Sequence, residues 1–176
     1  MNNTQPGSAH KVQTPNHVPV DSEDIKVPAR ASVSFSGTQQ NELLAALPRP
    51  DMESLSEHLE LVSLPFGKEL FVYGSKLENV YFPTTAIVSL LYVIEDGATT
   101  EIAVVGHEGV VGVHLFMGER AMCSAVVQSA GYGYRLKTQY LRDAFLRGGP
   151  LPQLMMRYTN ALFAQMAQNA VGGRHS

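Results

Sequence analysis

Cysteine, tryptophan and charged residues are scarce in this sequence. Of its 176 residues, one is cysteine, none is tryptophan and 16% are charged. The single cysteine, Cys123, excludes an intrachain disulfide and is typical of a reducing cytosol, so we expect a cytoplasmic protein. The 13 Lys and Arg residues are fewer than the 16 Asp and Glu residues, and they form no basic run. This balance argues against a nucleic-acid-binding surface on this chain.

Long apolar segments are also absent. The longest largely apolar run, residues 86–94, is too short to span a bilayer. The first thirty residues lack the apolar core of a signal peptide. Residues 1–38 combine prolines with polar residues and balanced charge, a composition that predicts a disordered leader.

The remaining sequence changes from helical to strand periodicity and back. Residues 40–47 predict a short helix, and Asp51 is placed to cap a second helix that carries Leu55, Leu59 and Val62. Short β-branched or aromatic runs follow, and they predict strands around Leu70, Val72, Tyr81, 87–93, 102–105 and 125–127. Glu95-Asp96-Gly97 is the strongest hairpin signal, because Asp-Gly accepts the positive φ of such turns.

Helical spacing returns near the end of the sequence. Residues 136–146 predict one helix, which Gly148-Gly149-Pro150 ends before a second helix from about Pro150 to Val171. The order of helix, strands and helices predicts an α+β fold in which a jelly-roll β-barrel is flanked by helices.

The last predicted helix carries an apolar seam. Successive residues of this seam, from Leu151 to Asn169, lie 4, 3, 4, 3 and 4 positions apart, and Met166 adds to the same surface. Either this helix packs on its own domain, or the wider apolar surface that includes Leu154 and Phe163 contacts a partner. We favour the partner, and the candidate dimer interface is Leu151, Met155, Tyr158, Leu162, Gln165, Met166 and Asn169.

A glycine-rich segment, residues 104–118, follows the predicted hairpin. Small residues let a backbone turn tightly or approach a ligand closely. A helix that began after Gly106 would favour an anion at its first N–H groups. A plain connection between two strands is the other interpretation.

Five segments together resemble a known family. They are Asn41-Glu42-Leu43-Leu44-Ala45-Ala46-Leu47-Pro48, Tyr81-Phe82-Pro83-Thr84, Ile87-Val88-Ser89-Leu90-Leu91-Tyr92-Val93, Gly106-His107-Glu108-Gly109-Val110-Val111-Gly112 and Arg157-Tyr158. Residues 40–176 resemble the sensor half of the Crp–Fnr superfamily of transcription regulators, which are related to the cyclic AMP receptor protein. The resemblance implies a cyclic-nucleotide-binding-type β-roll, a dimerisation helix and, normally, a C-terminal winged helix-turn-helix.

The resemblance divides the chain into a leader (1–38), a sensor domain (39–149), a dimerisation helix (150–171) and a tail (172–176). The family's DNA-reading module would begin near the end of this sequence. We therefore expect a regulator truncated before that module, with no DNA binding by this chain alone. A homodimer, or a heterodimer with a full-length relative, is the expected assembly.

The effector site that the resemblance implies departs from the family pattern. Nucleotide-binding members anchor the cyclic phosphate with an arginine directly before a Ser/Thr-Ala pair, and Cys123 stands at that position here. The family's Gly-Glu pair, which holds the ribose, is interrupted by His107. A buried phosphate without a cation is poorly compensated, so we expect no cyclic AMP binding. The candidate effector residues are Gly106, Glu108, Gly109, Arg120, Cys123, Ser124 and Ala125.

Two other functions stay open. A small jelly-roll metalloenzyme would use His107, Glu108 and His114 as ligands. A protein-interaction module would pair with a full-length regulator. The leader has no cysteine, which excludes an iron–sulfur cluster there. No nucleophile motif or phosphate-binding loop is present, so we expect neither catalytic residues nor a cofactor.

Overall fold

The computed structural model describes residues 35–112 and 118–172, and within them the chain forms five helices and seven strands. The helices are α1 (Phe35–Thr38), α2 (Glu42–Ala46), α3 (Arg49–Ser56), α4 (Thr138–Leu146) and α5 (Pro150–Gly172). The strands are β1 (Glu60–Leu64), β2 (Glu69–Phe71), β3 (Asn79–Pro83), β4 (Ile87–Val93), β5 (Thr99–Val105), β6 (Ser124–Ser129) and β7 (Gly131–Lys137). The predicted leader and tail lie almost entirely outside the described residues.

The strands form two antiparallel sheets. One has the order β1-β7-β3 and the other has the order β2-β6-β4-β5. Their buried side chains share one apolar core, which includes Val80, Phe82 and Leu136 from the first sheet and Val88, Val105 and Val127 from the second. Helices flank the sheets, so the predicted α+β class with a jelly-roll β-domain is confirmed. Among the described residues the ladders remain two sheets and do not close into one hydrogen-bonded barrel.

The predicted hairpin is confirmed in its turn chemistry. Strands β4 and β5 pair antiparallel on either side of Glu95-Asp96-Gly97. Gly97 has a φ of 85°, and the Asp96 carboxylate accepts the Ala98 N–H at 2.9 Å. The turn is therefore closed by the residue types that sequence reasoning singled out.

Several local predictions about element boundaries were wrong. Asp51 does not cap α3: Pro48 is the N-cap, without a side-chain hydrogen bond, and Asp51 lies in the first turn. Proline is tolerated there because the first helical N–H groups have no intrahelical partner. Val62 lies on strand β1 and Leu136 on strand β7, because the apolar residues of short buried strands fit either periodicity.

The connection between α4 and α5 was predicted correctly. α4 ends at Leu146, and Gly148 and Gly149 have φ values of 79° and 78° before α5 begins at Pro150. Left-handed backbone costs glycine little, and proline suits the first helical position. α5 then packs on β5 and α4. None of the described helices is long and apolar enough to cross a membrane.

Candidate functional site

The glycine segment after β5 forms a turn. No helix begins after Gly106: the Gly109 N–H donates to the Gly106 carbonyl at 3.2 Å. The Glu108 carboxylate folds back and accepts the Gly106 N–H at 3.0 Å. The helix interpretation is therefore wrong for residues 106–112, and Glu108 closes its own turn, whereas an effector role of this segment stays a prediction.

Asn41 ties this turn to α2. Its side chain is fully buried, and its Oδ1 caps α2 by accepting the Leu43 and Leu44 N–H groups at 3.0 and 3.1 Å. Its Nδ2 donates to the Gly109 carbonyl at 2.9 Å and to the Pro83 carbonyl at 2.8 Å. One side chain therefore joins a helix start, the turn and the end of β3.

Tyr158 ties the same turn to α5. A methyl group at Gly109 would overlap the Tyr158 ring and hydroxyl, so only glycine fits beneath that ring. Burial, and secondarily the charge of Glu108, raise the pKa of the Tyr158 hydroxyl, whereas a hydrogen bond with the Val110 backbone lowers it. The phenol is therefore neutral and in direct contact with the turn.

The other candidate effector residues lie at the start of β6. Cys123 and Ala125 are buried, and burial raises the pKa of the Cys123 thiol to about 11. Ser124 accepts the Tyr73 N–H at 2.9 Å. At neutral pH, an uncharged, buried thiol therefore occupies the position where the resemblance implies a phosphate-anchoring arginine.

Arg120 is engaged elsewhere. Its guanidinium donates to the Gly74 carbonyl at 2.9 Å, and its backbone bridges to Lys76. No charged side chain is fully buried in the described part of the chain. Within residues 35–112 and 118–172, no fully buried cation is therefore present in the core that surrounds Cys123.

The apolar seam of α5 faces its own domain. Leu151, Met155 and Leu162 are buried in the common core, with Tyr158 and Met166 packed against it. The Asn169 side chain donates to the Ile102 carbonyl of β5 at 3.0 Å, and Gln165 is exposed. Whether any of these residues also meets a partner stays a prediction.

The proposed metal ligands do not form a described cluster. His107 Nε2 lies 3.4 Å from a Glu42 carboxylate oxygen, while Glu108 is engaged by the Gly106 N–H. His114 lies outside the described residues. Among the described residues, no group of three metal-binding side chains comes together.

Sequence reasoning missed the roles of two residues around the turn. Asn41 lies in one of the five segments that carry the resemblance, but nothing in the sequence indicates its reach to Gly109. The spacing of α5 predicts Tyr158 at a partner interface rather than at the turn. The one available signal for Asn41 was its position as an N-cap residue before Glu42-Leu43-Leu44.

No protein-family model and no curated protein sequence matches this chain. Solved structures do match its fold. The N-terminal domain of a transcriptional regulator from Streptomyces coelicolor A3(2) has a TM-score of 0.53 at 20% identity, over 76% of this chain and 94% of its own.

Two further matching structures are named as cyclic nucleotide-binding. A protein from Geobacter metallireducens GS-15, named as cyclic nucleotide-binding, has a TM-score of 0.63 at 19% identity, over 77% of this chain and 98% of its own. A cyclic nucleotide-binding domain from Methylobacillus flagellatus KT has a TM-score of 0.55 at 13% identity, over 86% of this chain and 84% of its own. At these identities the likeness establishes the fold. The resemblance to the sensor half of the Crp–Fnr regulators is therefore confirmed as a shared cyclic-nucleotide-binding-type fold.

Proposed function

We propose that this chain is the sensor and dimerisation domain of a Crp–Fnr-like transcription regulator. The observation that carries the proposal is the contact between the turn at residues 106–110 and α5, made through Tyr158 and Gly109. A sensor must link its effector side to the element that sets assembly, and this contact is such a link. The fold of a transcriptional regulator's N-terminal domain supports the same function.

The effector of this domain differs from cyclic AMP. Cys123 is buried and neutral where the family places an arginine, and Arg120 is held by Gly74. Bringing a phosphate into such surroundings removes its hydration without supplying a cation. A melting curve in millimolar cyclic AMP tests this, because tight binding raises the melting temperature by mass action. We expect no change, and an upward shift of several degrees contradicts the proposal.

Dimerisation uses the outward face of α5. This face, defined by Met156, Asn160, Phe163, Ala167 and Ala170, repeats with spacings of 4, 3, 4 and 3, and all five residues are exposed. Met156 and Phe163 are 46% and 42% exposed. Such spacing matches the seam of a two-helix interface, whereas the inward seam is already occupied by the chain's own core.

A pair of aspartate substitutions distinguishes the proposed interface on the outward face from the buried inward face. Phe163→Asp places a charge at the proposed interface, so light scattering should show a folded monomer where the unaltered chain is a dimer. Leu162→Asp places the charge in the core, so circular dichroism should show an unfolded or insoluble protein. Gln153→Asp, at an exposed position of the same helix, should leave the dimer intact.

A dimer that survives Phe163→Asp contradicts pairing through the outward face. The same face would serve a heterodimer with a full-length relative. Co-expression with such a relative tests that assembly, and failure to co-purify leaves the homodimer as the working form.

A further inference from the structure

A polar cavity lies at the edge of the three-stranded sheet, apart from the turn at residues 106–110. This edge cavity has a volume of about 350 Å³. Its lining consists of His58, Glu60, Asn79, Arg135, Lys137 and Tyr140. Every one of these side chains carries a polar group, so the edge cavity differs in kind from the apolar core.

The strand register brings the charged residues together. Arg135 on the central strand β7 lies between Glu60 on β1 and Tyr81 on β3, and two positions further along β7, Lys137 lies opposite Asn79. Residues two apart on a strand point to the same face. The sheet therefore presents Arg135, Lys137 and Asn79 on one surface.

The elements beside the sheet complete the wall. α4 begins directly after Lys137 and places Tyr140 in its first turn, while His58 comes from the connection between α3 and β1. The two rings stack with centroids 3.6 Å apart and an interplanar angle of 5°. This stack holds the imidazole in one orientation.

One of the two cationic side chains of the edge cavity, Arg135, is held in place before any ligand binds. Arg135 Nη2 donates to Glu60 Oε2 at 2.7 Å, and the guanidinium also hydrogen-bonds to the Tyr81 hydroxyl. The Arg135 side chain is 22% exposed, compared with 84% for the ion-paired Arg49 on α3. An immobilised side chain loses little further entropy when a ligand binds.

The surroundings carry charges of both signs. A neighbouring depression of about 310 Å³ shares Asn79 and Lys137 with the edge cavity and adds Lys76 and Glu78. Glu60, the one acid in the lining of the edge cavity, is engaged by Arg135.

We propose that the edge cavity binds a small oxyanion, a phosphate or carboxylate group on a compact ligand, through Lys137, Arg135 and the Asn79 amide. The volume lies near the lower limit of ligand pockets, which requires a compact molecule. A cationic ligand would meet Arg135 and Lys137, and an apolar one would leave six polar side chains without water. The site is independent of the effector role proposed for the turn.

Titration of the whole chain with inorganic phosphate tests the proposal. In ¹⁵N–¹H spectra recorded at constant ionic strength, we expect saturable shifts of the Asn79, Lys137 and Tyr140 amides. Chloride at the same ionic strength should produce none. A second titration with succinate identifies the source: shifts with both probes indicate a general oxyanion site, and shifts with one probe identify the preferred group.

Lys137→Gln should weaken phosphate binding at least about five-fold, because a charge-assisted hydrogen bond is lost. Lys137 is exposed, so this variant is expected to fold; Arg135→Gln, which leaves Glu60 without its partner, is the harsher variant. Arg157→Gln removes an exposed cation on α5 and should leave the affinity unchanged. The proposal is overturned if neither probe gives saturable shifts at these amides, or if Lys137→Gln and Arg157→Gln bind phosphate equally.

Discussion

The two faces of α5 both carry large apolar residues, but they have different surroundings. Leu151, Met155 and Leu162 on the inward face lie in the common core, whereas Met156 and Phe163 on the outward face remain exposed. Both faces show the spacing of a helix–helix seam. The difference teaches that seam spacing identifies a face that can be buried, but does not identify what buries it.

The inward face also carries the polar contacts of α5. Tyr158 rests on the turn at residues 106–110, and Asn169 binds the backbone of β5. The outward residues Met156 and Phe163 have apolar side chains and are exposed. The inward face therefore joins α5 to its own domain, and the outward face is the one that we propose for assembly.

The largest expected effect tests the inward face at Leu151. Leu151→Ala leaves a cavity in the core, so the free energy of unfolding should fall by about 2–5 kcal/mol. Gln153→Ala, at an exposed position in the same turn, should change it by less than about 0.5 kcal/mol. Urea unfolding followed by circular dichroism measures both. Equal effects of the two substitutions would remove the distinction between the faces.

The second prediction concerns the close approach of Gly109 to Tyr158. Gly109→Ala forces the Tyr158 ring to move, and this overpacking should cost about 1–3 kcal/mol of unfolding free energy. Gly118→Ala is the matched control, because a methyl group there meets open space. If Tyr158→Ala is combined with Gly109→Ala, the two costs should be less than additive, since the residues are in contact. Full additivity would mean that the ring does not rest on the turn.

The third prediction uses pH to test the buried phenol. A hydroxyl whose pKa is raised in the folded protein stabilises it fully below the unfolded value of about 10, and this contribution is lost as pH rises through the folded value. Tyr158→Phe should therefore cost about 1 kcal/mol at neutral pH, for the lost hydrogen bond, and reduce the loss of stability in alkali. Tyr134→Phe, which removes a tyrosine hydroxyl from the sheet, is the variant with which Tyr158→Phe is compared. If Tyr158→Phe loses as much stability in alkali as the unaltered chain, the Tyr158 hydroxyl is exposed to solvent.

The smallest effect is expected at Asn169. Its amide donates one hydrogen bond to the Ile102 carbonyl from an exposed position. Asn169→Ala should lower the free energy of unfolding by about 0.5 kcal/mol, and Gln168→Ala on the neighbouring exposed position should have no measurable effect. Hydrogen exchange at the C-terminal end of α5 should increase only in the first variant. A loss of several kcal/mol at Asn169 would instead indicate a second role for this residue, at an interface.

Much of the fold could be predicted because its signals are local. The Asp96-Gly97 turn, the helix break at Gly148-Gly149 and the strand runs of β4 and β5 follow from backbone preferences and from periodicity two. The element boundaries around Val62 and Leu136 could not be predicted, since a short apolar run fits a strand or a helix equally well. The hydrogen bonds of the folded chain settle those boundaries.

Less of the candidate site could be predicted from the sequence. The sequence shows Cys123 at the position where the resemblance implies an arginine, but the burial of its neutral thiol depends on the strands packed around it. The hydrogen bond from Arg120 to the Gly74 carbonyl is likewise not indicated by any local pattern. The edge cavity joins residues as distant in sequence as His58 and Tyr140, which no local pattern relates.

The sequence by itself determined the turns, the glycine break and the apolar spacing of α5, because each depends on neighbouring residues along the chain. Only the tertiary structure decided which face of α5 is buried and that Asn41 and Tyr158 hold one turn between two helices. It also decided that Arg135 is fixed by Glu60 across a sheet. The physical reason is that burial and pairing depend on which distant segments meet, and residue types specify the chemistry of a contact without specifying its partner.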